Sequence, residues 1–247
     1  MSVQRKRVAV LISGRGSNLA ALIAAAREPG FPAEIVGIVS DRDDAPGLKL
    51  APPNGIAAKV VARGDFADKA AHDAAIDAAL QGFGAEIVAL AGYMRLVPPD
   101  VTRAYRGRMI NVHPALLPDF GGPGMYGARV HRAVIEARAP ESGPTVHFVD
   151  EVYDHGATIA QWPVPVLPHD DAEVLAARVL RAEHLIYPRV LDAVAGGRVR
   201  LLADGTVARE RLQRARLPLM DPALDDRALA LALDRELGLT PVTEPAR

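Results

Sequence analysis

The sequence predicts an α/β protein built on a doubly wound, mostly parallel sheet. Three observations carry that expectation. Nearly continuous apolar runs of strand length alternate with alanine- and leucine-rich segments of helical length through the first half of the chain. A glycine pair, Gly14 and Gly16, separates the first such run from the first such helix. A buried-looking run at residues 109–113 ends in Asn111, Val112 and His113, so an amide and an imidazole leave one face of a strand two positions apart before Pro114 stops it.

Composition narrows the classes of function. A chain of 247 residues, 49% of them hydrophobic, can bury a substantial core in one domain or two closely joined ones. Twenty-nine lysines and arginines nearly balance 30 aspartates and glutamates, so no global field recommends nucleic acid or a charged membrane as partner. The absence of cysteine removes disulfides, thiolate metal sites and cysteine nucleophiles. The seven histidines show no metal-ligand spacing, and no metal is expected. A polar start passes directly into a strand, and no apolar run is long enough to span a bilayer, so a soluble cytoplasmic protein is expected.

The elements follow in order. Residues 7–13 form the first strand, and residues 19–27 the first helix. The glycines between them leave free backbone N–H groups at a helix start, a place that favours a phosphate. Ser17 and Asn18 either add side-chain donors to that anion or cap the helix. A second strand at 33–40 ends in the acidic run 41–44, read as a solvated loop. The same acids leave a nicotinamide reading open, against which Leu19 falls where a dinucleotide fingerprint needs its third glycine. A strand at 57–61, a helix at 68–80 and a strand at 86–91 complete the alternating half. Residues 92–99 (Gly-Tyr-Met-Arg-Leu-Val-Pro-Pro) then line either a flat-ring pocket or the core, and a short helix at 99–105 precedes the central strand.

Beyond it, the glycine-rich stretch 120–127 is a lid or an ordinary surface connection. A helix at 128–138, a strand at 143–149 and an acidic turn at 150–156 follow, where a carboxylate could hold His113. A strand at 159–166, a long helix at 172–195 and a hairpin at 199–207, turning at Asp204 and Gly205, end the main body. From residue 208 the composition shifts to an arginine-rich segment, a helix near 225–237 and a Pro/Thr tail. The expected organisation is a domain over 1–207, with halves of about 1–105 and 106–207, and a C-terminal helical extension over 208–247.

Four motifs together resemble the phosphoribosylglycinamide formyltransferase family of the folate-dependent formyltransferases, in the same order: Ser13 to Asn18, Gly92 to Leu96, Asn111 to Pro118, and Thr145 to Asp154. The resemblance spans roughly residues 7–202. It implies the formyltransferase fold, a Rossmann-like sheet with an antiparallel C-terminal portion. It also implies transfer of a formyl group from 10-formyltetrahydrofolate to the amine of glycinamide ribonucleotide, a step of purine biosynthesis, with no metal.

By the same resemblance, Gly16, Ser17 and Asn18 hold the substrate phosphate and Glu183 accepts from the ribose hydroxyls. Met94, Arg95, Leu96 and Val97 line the pteridine site together with backbone groups of Asp150, Glu151, Val152, Tyr153 and Asp154, and Lys69 meets the folate's glutamate tail. Asn111, His113 and Asp154 form the catalytic set, Asn111 also touching folate. Leu180 stands where the family often has lysine or glutamine on the phosphate, so Arg181, Arg15 or the loop 121–127 is expected to supply that contact. The reading leaves the oligomeric state open, a homodimer included.

Overall fold

β1 (Lys6–Ile12) and β2 (Ala33–Ser40) open the sheet, their apolar residues covered on both faces as a parallel strand requires. The computed structural model describes residues 4–210 and 215–237. Between the two strands runs α1 (Ser17–Ala26). A 3-10 turn (Pro46–Leu50) and a single helical turn, α2 (Ala51–Asn54), then lead to β3 (Ala57–Val60). α3 (Lys69–Gly82), capped by Asp68, crosses to β4 (Ile87–Leu90), and α4 (Pro99–Ala104) crosses to β5 (Met109–His113). α5 (Ala128–Glu136), β6 (Glu141–Ser142), β7 (Thr145–Phe148), β8 (Thr158–Gln161) and β9 (Val164–Pro165) follow. The chain closes with α6 (Ala172–Ala195), β10 (Val199–Leu201), β11 (Val207–Arg209) and α7 (Asp226–Glu236).

Seven strands form one sheet in the order β3-β2-β1-β4-β5-β7-β8. Pairing is parallel from β3 to β5, then antiparallel through β7 and β8. The strand order reverses at β1, whose neighbours are β2 and β4, and the crevice beyond that point is where such sheets bind ligands. α6 is anchored under the crevice by the buried hydroxyl of Tyr187, which donates to the carbonyls of Leu90 (2.9 Å) and Ile110 (3.2 Å) on the strands β4 and β5.

Three expectations change. The strand expected over 159–166 is two pieces: the chain turns at Trp162 and Pro163, and β9 leaves the large sheet to pair with β6. Proline has no N–H to continue a ladder there. The acidic run 41–44 is not uniformly solvated, because Asp41 is buried and pairs with Arg95 at 3.2 Å. The C-terminal segment is packed rather than appended. Gln161 N donates to Ala215 O (2.7 Å), Leu217 N to Gln161 O (2.9 Å) and Met220 N to Pro163 O (2.8 Å), which covers the exposed edge of β8. Leu217, Met220, Leu229, Leu233 and Leu237 join the main core, and Arg189 on α6 meets Asp234 on α7 at 2.7 Å. Arg211, Arg214 and the Pro/Thr tail lie outside the described residues.

Candidate active site

A cleft of about 830 Å³ opens at the C-terminal ends of β1, β4 and β5. The β1 end supplies Gly14 to Asn18, the β4 end Ala91 to Met94, and the β5 end Asn111 to Pro114. Residues 122–128 close one side and α6 the other, through Ala176, Ala177, Leu180 and Glu183. The glycine-rich stretch is thus a cleft wall.

At the β5 end the polar groups hold one another. Asn111 and His147 are register partners across β5 and β7, and the Asn111 amide lies 3.1 Å from His147 Nε2. The other nitrogen of that ring, Nδ1, donates to the Phe148 carbonyl at 2.8 Å. Burial pushes the His147 pKa down, against the raising influence of the Phe148 carbonyl and Asp154. The ring is therefore neutral, with a bare Nε2 that must accept, and this fixes the amide nitrogen of Asn111 toward His147. One amide N–H remains for a guest.

His113 Nε2 donates to the Phe120 carbonyl at 2.9 Å, and its Nδ1 faces Asp154 Oδ1 at 3.4 Å. Both contacts are favourable together only when both ring nitrogens carry a proton. Asp154 sits at φ 53°, in the left-handed region, and its Oδ2 accepts from Gly122 N at 2.9 Å. Space is tight here: a Cβ on Gly121 would meet Leu117 Cδ2 at 2.5 Å and Asp154 Cβ at 3.3 Å. The Leu117 end of the turn is held in place by Gln161, whose Nε2 donates to Leu117 O at 2.7 Å and to Thr145 Oγ1 at 2.9 Å. His131 faces the same cleft, and burial, with His113 nearby, pushes its pKa down to about 4.

The β1 end is built differently. Gly16 is the N-cap of α1 at φ 76° with no side-chain cap, so neither Ser17 nor Asn18 caps the helix. A Cβ on Gly16 would lie 2.7 Å from Gly47 Cα, so only glycine lets these two loops meet. No acid sits in the first turn of α1, and the residues at its start, Gly16, Ser17 and Asn18, line the cleft, so the unpaired N–H groups of a helix start lie beside it. α6, whose first residues also reach the cleft, is by contrast capped by Asp171, which accepts from Glu173 N and Val174 N. Asn18 Nδ2 donates to Glu183 Oε2 at 2.6 Å, and Asn18 Oδ1 is buried without a partner. Burial pushes the Glu183 carboxyl up to about 7, against the lowering influence of Asn18.

The remaining expected site residues divide. Met94 and Tyr153 lie between the cleft and an adjoining groove that Lys69, Arg95 and Leu96 also line. Lys69 pairs there with Asp73. Val97 is not in either: it is 2% exposed and packs in the core between α3, α4 and the sheet. The side chains of Asp150, Glu151 and Val152 stay outside the cleft, Asp150 with His155 (2.7 Å) and Glu151 with Arg103 (2.7 Å). Arg181 is not a cleft residue either. It is held by Asp226 at 2.5 Å and by the carbonyls of Leu224 and Pro222, because the C-terminal segment covers that face of α6. Against the nicotinamide reading, Leu19 is fully buried and Asp41 is occupied by Arg95.

His131 and His147 are site residues that sequence reasoning missed, and His147 is the instructive one. It lies in one of the four family-like motifs, but its role depends on which residue it opposes across β5 and β7.

Compared with known proteins, residues 6–191 match the formyl transferase family. The chain is 40% identical over 205 residues to the chloroplastic phosphoribosylglycinamide formyltransferase of Vigna unguiculata, covering 83% of this chain and 66% of that protein. Among solved structures, glycinamide ribonucleotide transformylase 1 from Symbiobacterium toebii shares 38% identity and a TM-score of 0.77, over 83% of this chain and 94% of the other. The phosphoribosylglycinamide formyltransferase from Brucella melitensis shares 50% identity and a TM-score of 0.73, over 78% and 97%. The chain spans less than two thirds of the length of several curated relatives it matches.

Proposed function

The chain belongs to the formyl transferase family, and from that premise we propose that it moves a formyl group from 10-formyltetrahydrofolate to the primary amine of glycinamide ribonucleotide. The observation that carries this reading is the pairing, in one cleft, of an amide, imidazole and carboxylate set at one end with an uncapped glycine loop at the other.

The chemistry requires no enzyme nucleophile. The amine attacks the formyl carbon, the carbonyl oxygen becomes an alkoxide, and the bond from carbon to the folate N10 then breaks. One proton leaves the amine and one reaches N10. The free N–H of Asn111 and the Nε2–H of His113 are the donors for the alkoxide, and removal of one such donor costs on the order of a hundredfold or more in rate. His113 reaches that role when the formyl oxygen replaces the Phe120 carbonyl as its acceptor. Asp154 keeps the second ring proton in place, and it or a water it holds passes the proton from amine to N10. Holding two substrates in line supplies much of the remaining acceleration.

In this reading the phosphate lies on the N-terminus of α1 at Gly16, Ser17 and Asn18, with the ribose hydroxyls on Glu183. The pteridine lies near Met94, Arg95 and Leu96, and the folate's acidic tail runs toward Lys69. The test mixes purified protein, glycinamide ribonucleotide and a 10-formyl folate, and follows the deformylated folate by absorbance. Release that depends on the ribonucleotide supports the proposal. Release at the same rate without it, with water as acceptor, overturns it.

A further inference from the structure

A phosphate dianion entering this cleft meets the carboxylates of Asp154 and Glu173, with Glu183, pushed up to about 7 by burial, adding only partial negative charge. Among the described lining residues, Arg15 is the one lysine or arginine. Leu180, on the facing wall of α6, offers no charge, and Arg181 beside it is turned away and bound to Asp226 and the Leu224 carbonyl. Arg15 sits in the loop between β1 and α1, next to the uncapped helix start, and its exposed side chain forms no ion pair or hydrogen bond among the described residues. Arg129, next to the glycine-rich wall in sequence, is stacked on the Tyr126 ring at 5.0 Å and does not line the cleft.

We propose that Arg15 is the cationic clamp on the substrate's phosphate, the determinant by which this chain selects a phosphorylated over an unphosphorylated amine. The inference rests on the formyl-transfer reading and adds to it the residue that sets phosphate specificity. The helix start alone contributes partial charge, and a guanidinium adds a full charge with paired donors that match two phosphate oxygens. Its partner-free state lets it swing onto the anion without breaking an existing contact. Clamping the phosphate end does not touch the reacting carbon, so Arg15 acts on substrate binding and leaves the chemical step alone.

The test is calorimetric titration of parent and R15Q protein with glycinamide ribonucleotide and with the dephosphorylated glycinamide riboside, alongside steady-state kinetics. R15Q is expected to bind the ribonucleotide roughly 10- to 100-fold more weakly and to bind the riboside as the parent does. Its kcat and its KM for the formyl folate are expected to stay within about twofold. R15K, which keeps charge without the planar fork, is expected to fall between parent and R15Q. Ribonucleotide binding by R15Q within twofold of the parent overturns the clamp while the formyl-transfer reading stands. A parent that binds neither compound overturns that reading and the clamp with it.

Discussion

The two ends of the cleft solve opposite problems. At the β5 end every group proposed to act in catalysis is already engaged: Asn111 with His147, His147 with Phe148, His113 with Phe120 and Asp154, and Asp154 with Gly122. At the β1 end the corresponding groups are left without partners among the described residues: a helix start with no side-chain cap, a buried Asn18 oxygen with no donor and an arginine with no acid. Groups proposed to act on a transient charge are oriented by the protein before the substrate arrives, and His113 then exchanges only its Phe120 acceptor for the formyl oxygen. Groups that must hold a permanent anion wait for it. The difference teaches that changes at the first end should appear in kcat and changes at the second in KM.

The largest effect that would break this contrast comes from Asn111→Ala. It removes a donor to the alkoxide, and kcat is expected to fall by roughly a hundred- to a thousandfold, with ribonucleotide affinity preserved; rapid-mixing kinetics and titration together check both halves. Asp154→Asn follows, at about a hundredfold. Asparagine tolerates the left-handed backbone found there, so circular dichroism should report an intact fold while the pH profile of kcat changes shape. His147→Phe should cost about tenfold in kcat, the worth of one lost hydrogen bond that orients Asn111, and little in KM.

Glu183 sharpens the contrast through stability. Its carboxyl titrates near 7 when folded and near 4.3 when unfolded, so the folded state binds the proton more tightly. Its contribution is full below the unfolded value and is lost as pH rises through about 7. Denaturation of Glu183→Gln from pH 4 to pH 8 should therefore show a flatter decline than the parent, with the difference confined to this window. The smallest effect on catalysis should come from Leu229→Ala in α7, where truncation of a buried side chain costs about 2–5 kcal/mol of stability. Its Tm should drop with kcat unchanged.

Much of the fold was legible because it is local. β2, β5 and α6 were expected with the bounds they have or nearly so, since the apolar run lengths and the flanking Pro114 are written in the chain itself. The pairing of Asn111 and His113 on one face followed from strand period alone. What was not legible is what depends on distant neighbours. Arg181 reads as a free cation until α7 folds over it, and Val97 reads as a pocket residue until α3 and α4 close over it. His147 gains meaning only through the β5–β7 register. The division of the 159–166 run required β6 as a competing partner for β9.

The measurement that bears most directly on the account is the single-turnover rate of formyl transfer by His113→Ala with both substrates saturating, read beside its affinity for glycinamide ribonucleotide. The account predicts a rate lower by more than about a hundredfold at an affinity within about twofold of the parent. A rate equal to that of the parent would contradict it.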